Sequence, residues 1–186
     1  MIEIANLIHS SEPFIYLTTS ATTGEPKLVA HTPSSLFSNA DAVIDALNYD
    51  QTSSWGCALS TSRIAGLMVA IRSYRKKGHA IFSRRIENLP FVTHLSLIPS
   101  QFYDLVEKDE IERFKNTLLF IGGSDIPNWI INYAKEKKLR IHTSYAMTET
   151  ASSICIDGIP LSNMDIKISD AILRIKSPFG SFVFRV

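Results

Sequence analysis

A chain of 186 residues, 45% hydrophobic and 20% charged, can bury a real core and has the balance of a globular domain. Its net charge of +1 gives no electrostatic reason to expect nucleic acid or an anionic membrane surface as partner, and no apolar run approaches the ~20 residues that span a bilayer. Cys57 and Cys155 are too few and too far apart for a disulfide framework or a zinc site, and Met1-Ile2-Glu3-Ile4 lacks the basic start of a signal peptide, so a reduced, cytoplasmic protein is expected.

Phe14-Ile15-Tyr16-Leu17 is a short β-prone run and reads as a buried strand. It leads into Thr18-Thr19-Ser20-Ala21-Thr22-Thr23-Gly24-Glu25-Pro26-Lys27. Hydroxyls there can donate hydrogen bonds, and small residues let backbone N–H groups approach an anion. Gly24 can take positive φ, Pro26 stiffens the exit, and Lys27 adds a cation. Such a stretch suits a cradle for nucleotide phosphates; a polar surface turn has the same composition, and the Walker pattern is absent.

Residues 28–30 read as a second short strand. Pro33 then stands where a helix can start, with Leu36, Phe37, Ala40, Val43, Ile44 and Leu47 at helical spacing. The pattern next predicts a strand at 55–59, an amphipathic helix at 64–74 and strands at 79–82 and 92–98. A helix over 100–106 and a charged helix or turn over 109–115 precede Thr117-Leu118-Leu119-Phe120-Ile121, whose unbroken apolar character fits a strand buried on both faces. Gly122-Gly123 ends it; 127–138 reads as a helix and 140–144 as a strand. From 151 onward short strands alternate with turns, at 153–156, 165–168, 172–176 and 182–186. The expectation is an α/β fold, with a largely parallel sheet and flanking helices, in two parts: a nucleotide-binding core over 1–150 and a small β-rich C-terminal appendage over 151–186.

A second informative stretch is Ser144-Tyr145-Ala146-Met147-Thr148-Glu149-Thr150, after a predicted strand, at the carboxyl edge where open α/β sheets bind ligands. An aromatic there can stack on a base, hydroxyls can bond phosphate, and a glutamate can hold Mg²⁺. Gly122-Gly123-Ser124 offers a backbone surface for a planar ring.

Taken together, these stretches resemble the adenylate-forming superfamily of acyl-CoA synthetases. Thr19 to Lys27 looks like that family's phosphate loop, Gly122-Gly123-Ser124 like its adenine-side glycine pair, and Tyr145-Ala146-Met147-Thr148-Glu149 like its Y-G-M-T-E motif. Arg63-Ile64-Ala65-Gly66-Leu67, Leu97-Ile98-Pro99-Ser100-Gln101 and Gly158-Ile159-Pro160-Leu161 look most like the o-succinylbenzoate–CoA ligase group of menaquinone synthesis. The resemblance implies that Thr19, Ser20, Thr22, Thr23, Gly24 and Lys27 hold the β- and γ-phosphates of ATP. It also implies that Gly122, Gly123, Ser124 and Tyr145 flank adenine, that Thr148 meets the α-phosphate, and that Glu149 binds Mg²⁺. Lys27, Thr148 and Glu149 would then be catalytic, and Arg63, Gly66, Ser100 and Gln101 would border the substrate. A small-molecule carboxylate, ATP and CoA are the implied reactants. Ala21 and Ala146 stand where the family usually has glycine, and Arg63 where it often has histidine. The family's longer N-terminal region, ribose-binding aspartate and lysine-bearing C-terminal lid have no counterpart here. The implied catalyst is therefore incomplete without a lid domain or a partner chain. A reading from another class is a non-catalytic nucleotide-binding module that kept the fold and lost turnover.

The remaining residues carry plainer expectations. His9, His31, His79, His94 and His142 are scattered without metal-ligand spacing and read as structural or exposed. Arg72, Arg75, Lys76 and Lys77 end a helix and, with Arg84 and Arg85, could face CoA phosphates or nucleic acid, but a solvated face is the favoured reading. Cys57 reads as a buried core residue.

Overall fold

A computed structural model describes residues 14–19, 26–162, 164–169 and 172–177, together with the backbone of 182–185. Five parallel strands form the body of a seven-stranded sheet: β3 (Ser54–Cys57), β4 (His79–Phe82), β5 (His94–Leu97), β6 (Leu118–Gly122) and β7 (Arg140–Met147), in the order β4-β3-β5-β6-β7. Antiparallel β8 (Ser152–Ile156) and β9 (Ile159–Pro160) then extend that sheet beyond β7. A separate small sheet holds β1 (Ile15–Thr18), β2 (Lys27–His31) and β12 (Phe182–Arg185), and β10 (Asp165–Ser169) pairs only with β11 (Ile172–Lys176).

Helices cover both faces of the main sheet, as its sequence requires. Along β6 the side chains alternate: Leu119 and Ile121 pack with Phe102 and Leu105 of α3 (Pro99–Glu107) and Ile130 and Ala134 of α4 (Asn128–Glu136). Leu118 and Phe120 face the other way, toward Val43, Ile44 and Leu47 of α1 (Pro33–Leu47) and Val69 of α2 (Ile64–Lys76). Both faces of a parallel strand are thus buried, which is why 117–121 is apolar without alternation. The α1 start is encoded locally: the Thr32 side chain accepts the Ser35 N–H at 3.1 Å and Pro33 occupies the first turn.

The structure differs from the sequence pattern in three places. Residues 28–30 form a strand, but as part of β2 in the small sheet, because β2 pairs with β1 and β12 and with no strand of the main sheet. The strand expected to end at Ser144 runs on to Met147, since Tyr145, Ala146 and Met147 continue the ladder against β8. Arg72 lies within the core and not on a solvated face. Its guanidinium lies over Trp55 at 5.1 Å and over Phe120 at 5.6 Å, and the residue is 2% exposed. Arg75 and Lys76 do face solvent, paired with Asp41 and Asp45 on α1.

Candidate functional site

All five parallel strands end at one edge, and the segments after β6 and at the end of β7 carry the Gly122-Gly123-Ser124 and Tyr145–Glu149 motifs there. Gly122, at the end of β6, lies beside Ser144 of β7, and a Cβ on Gly122 would stand 2.9 Å from the Ser144 carbonyl oxygen. Gly123 adopts φ +89°, open to glycine and strained for other residues. Tyr145, half exposed, projects from the end of β7 close to this glycine pair. Ser124 is exposed just after it. Here the structure brings Gly122, Gly123, Ser124 and Tyr145 to one edge.

Thr148 to Thr150 form a single 3₁₀ turn that carries the chain from β7 into antiparallel β8. Its exit is unusual: Ala151 (φ 58°) and Ser152 (φ 108°) both take positive φ without being glycine. Such backbone persists only where neighbours hold it. The Thr150 hydroxyl lies within hydrogen-bond reach of the Met147 (3.2 Å) and Ser152 (3.0 Å) carbonyls, and the fully buried Asn39 of α1 donates to the carbonyls of Thr150 (3.4 Å) and Ser153 (2.8 Å). Asn39 thus supports the turn bearing Thr148 and Glu149. Its signal in sequence is an amide among the apolar positions of an amphipathic helix.

The phosphate-loop stretch reaches this turn from the small sheet. Thr19 and Lys27 close its stem: the Thr19 N–H donates to the Lys27 carbonyl at 2.9 Å, and Thr19 Oγ1 accepts the Lys27 N–H at 3.0 Å. Lys27 Nζ stands 3.8 Å from Glu149 Oε1. Two motifs more than a hundred residues apart in the chain therefore meet at one ion pair. Ser20, Thr22, Thr23 and Gly24 lie outside the described residues. Among the described residues no three His, Cys, Asp or Glu side chains gather as a metal cage. The Glu149 carboxylate, beside the stretch that resembles a phosphate loop, would fit Mg²⁺, which keeps several waters and binds through one or two carboxylates plus phosphate oxygens.

On the acyl-side motifs the structure assigns local work. Gly66 lets the first turn of α2 lie on the backbone of Ser60, whose carbonyl oxygen would be 2.3 Å from an added Cβ. Gln101 Oε1 accepts the Ile98 N–H at 3.2 Å and its amide nitrogen reaches the Ala58 carbonyl at 3.4 Å, fixing the start of α3. Ser100 is exposed beside it. Arg63 donates to the Thr18 carbonyl.

His31, at the end of β2, is fully buried behind the Thr148–Glu149 turn. Burial pushes its pKa down, opposed by the Thr148 backbone and the Glu149 carboxylate. His94, packed 5.1 Å from Tyr49 and 5.3 Å from Trp55, is likewise pushed down by burial, with the Leu47 carbonyl opposing. Both rings take up protons more readily in the unfolded chain, where the value is 6.5. Their contribution to stability is therefore complete above pH 6.5 and is lost as pH falls from there toward the lower folded values. Two such groups give a slope of at most ~2.7 kcal/mol per pH unit. Melting curves between pH 5 and 8 will show this loss, and a His31→Gln/His94→Gln double variant will flatten it. A wild-type profile already flat in that range would rule it out.

Comparison with known proteins bears on this edge. The family model described as AMP-binding enzyme matches residues 3–175. The chain belongs to the AMP-binding enzyme family. A 2-succinylbenzoate–CoA ligase of Staphylococcus aureus (strain MSSA476) is 27% identical over 172 residues, covering 82% of this chain and 35% of the relative. The chain thus spans about a third of the length of the curated relatives it matches. Among solved structures, wild-type E. coli MenE with a bound analogue of OSB-AMS superposes with a TM-score of 0.81 at 22% identity, covering 91% of this chain and 40% of that one. Bacillus subtilis MenE in complex with ATP and magnesium ion gives 0.76 at 22% identity, with 92% and 42% covered. At this identity the structures show the fold, which is that of the family's α/β domain with small antiparallel sheets added.

Missed from sequence was Arg72. Among the described residues it is a buried cation whose Nε has no hydrogen-bond partner, whose Nη2 reaches Ser152 Oγ at 3.4 Å, and which pairs with no carboxylate. Burial pushes its pKa down to about 9, with nearby Cys57 opposing, so it remains a cation at neutral pH. Cys57, itself pushed up to about 11 by burial, stays a thiol there. The sequence signal was position: in α2 Arg72 follows the apolar run 67–71, a helical turn before the solvent-facing Arg75 and Lys76.

Proposed function

We propose that this chain is the nucleotide-binding core of an ATP-dependent acid–thiol ligase, activating a carboxylate as its acyl-adenylate and passing the acyl group to CoA. The observation that carries the reading is the meeting of Lys27 with the Thr148–Glu149 turn, which follows the strand that carries exposed Tyr145 and holds Ser144 in register with Gly122. Adenine would lie against Tyr145 and the glycine pair. Lys27 would meet the β- and γ-phosphates and Thr148 the α-phosphate, so that cation and hydroxyl face the charge developing there. Mg²⁺ held at Glu149 would neutralise phosphate charge. A substrate carboxylate oxygen then attacks the α-phosphorus, pyrophosphate leaves, and in a second step the CoA sulfur displaces AMP from the acyl carbon.

The finer reading is o-succinylbenzoate as the acid, as the names of the relatives suggest. That molecule has two carboxylates, one to be activated and one to be held. Buried Arg72, which pairs with no acidic side chain among the described residues, would be a counter-charge for the second. Residues 151–186 are proposed to begin the subdomain leading to a C-terminal lid. A carboxylate panel in ATP–pyrophosphate exchange, run on the full-length protein, tests the function. Exchange stimulated by o-succinylbenzoate and weakly by monocarboxylates supports both levels, and stimulation by monocarboxylates alone supports only the first. Nucleotide binding without carboxylate-dependent exchange would make the protein a non-catalytic module.

A further inference from the structure

Arg63 immediately precedes α2, among the acyl-side residues, yet its guanidinium reaches into the other half of the site. Nη1 donates to the Thr18 carbonyl at 2.9 Å and lies 3.4 Å from the Thr18 hydroxyl. Thr18 is the last residue of β1, and its neighbour Thr19 closes the stem onto Lys27 through two hydrogen bonds. Lys27 in turn faces Glu149. The anchor is firm, because the Arg63 N–H donates to the Ser60 carbonyl, the Arg63 carbonyl accepts the Leu67 N–H, and Gly66 seats the same turn directly on the Ser60 backbone. The stem belongs to the small sheet and the anchor to a helix packed on the main sheet, so the ladder that sets Lys27 opposite Arg185 does not fix where the stem stands relative to α2.

We propose that Arg63 is a positioning residue for Lys27, pinning the Thr18–Thr19/Lys27 stem to the first turn of α2 so that the ammonium is held opposite Glu149. A lysine has a long stem with many rotamers, and a single position of its backbone is what makes one phosphate-facing geometry reproducible. The contact joins the acyl-side helix to the phosphate side of the site. It uses one guanidinium nitrogen on one carbonyl, a geometry that a lysine can partly reproduce. The proposal rests on the reading that Lys27 meets the β- and γ-phosphates.

Arg63→Gln and Arg63→Lys, made in the full-length protein, test it by two measurements. The first is amide hydrogen exchange at Thr19 and Lys27 without nucleotide, because those two N–H groups close the stem. The second is calorimetric titration with MgATP and with AMP, which lacks the phosphates that Lys27 would meet. Arg63→Gln is expected to speed exchange at both amides and to weaken MgATP by about tenfold while leaving AMP affinity in place, with Arg63→Lys recovering part of both. Unchanged exchange at Thr19 and Lys27 overturns the proposal. So does a raised KM for the carboxylate with MgATP unaffected, which would place Arg63 in the acyl site. Faster exchange in a protein that binds neither nucleotide upholds the pin and defeats the phosphate reading of Lys27 instead.

Discussion

Arg72→Met is expected to be at least as stable as the parent protein, with a gain of up to ~1–4 kcal/mol, while its use of a dicarboxylic acid collapses. A guanidinium taken out of water without an acidic partner costs free energy, and the stacking on Trp55 and Phe120 returns only part of it, about 2 kcal/mol. Methionine fills a similar volume between the same rings and leaves no charge to desolvate. If the missing counter-charge arrives with the substrate, its loss lowers kcat/KM for the dianion on the order of 10²–10³-fold. Denaturant melts and carboxylate saturation curves on the same protein separate the two effects. A variant that is less stable by several kcal/mol, with carboxylate KM unchanged, would make Arg72 a structural residue.

Glu149→Gln is the second large effect. It is expected to weaken Mg²⁺-dependent ATP binding ~10–100-fold and to leave Mg²⁺-free AMP binding nearly unchanged. The same change costs little folding stability, because the Lys27–Glu149 pair spans 3.8 Å with the lysine half exposed, and such pairs contribute little in water. Isothermal titration with each nucleotide, beside a melting curve, checks it. Equal weakening of both nucleotides, or a large drop in melting temperature, would show that Glu149 serves the turn and not the metal.

What the sequence made legible was local. Pro33 announced the start of α1, Gly122-Gly123 marked the end of β6, and the unbroken apolar run before it identified a strand covered on both sides. The candidate motifs stood out because they are short: those after β6 and β7 leave one edge of the main sheet, while the phosphate-loop stretch leaves β1 of the small sheet. Three things were hidden because they depend on what lies far away in the chain. The placement of β2 in a different sheet follows from pairing with β1 and β12, which its own residues do not specify. Arg72 looks like any arginine near the end of a helix until Trp55 and Phe120 are seen to enclose it. Asn39 looks like a polar interruption of α1 until the Thr150 and Ser153 carbonyls are found against it.

The pairing of β2 with β12 sets a timetable for assembly. Lys27 lies opposite Arg185, so the small sheet closes a loop of roughly 150 residues, which costs ~2–3 kcal/mol more entropy than closing a ten-residue hairpin. During vectorial synthesis β1 and β2 can form their hairpin early, but that ribbon waits for residues 182–185 to leave the ribosome. The five parallel strands have by then been made, so the main sheet can consolidate first and the strand carrying Lys27 is completed last. A nascent chain would thus have made every strand of its main sheet before the small sheet that carries Lys27 could close.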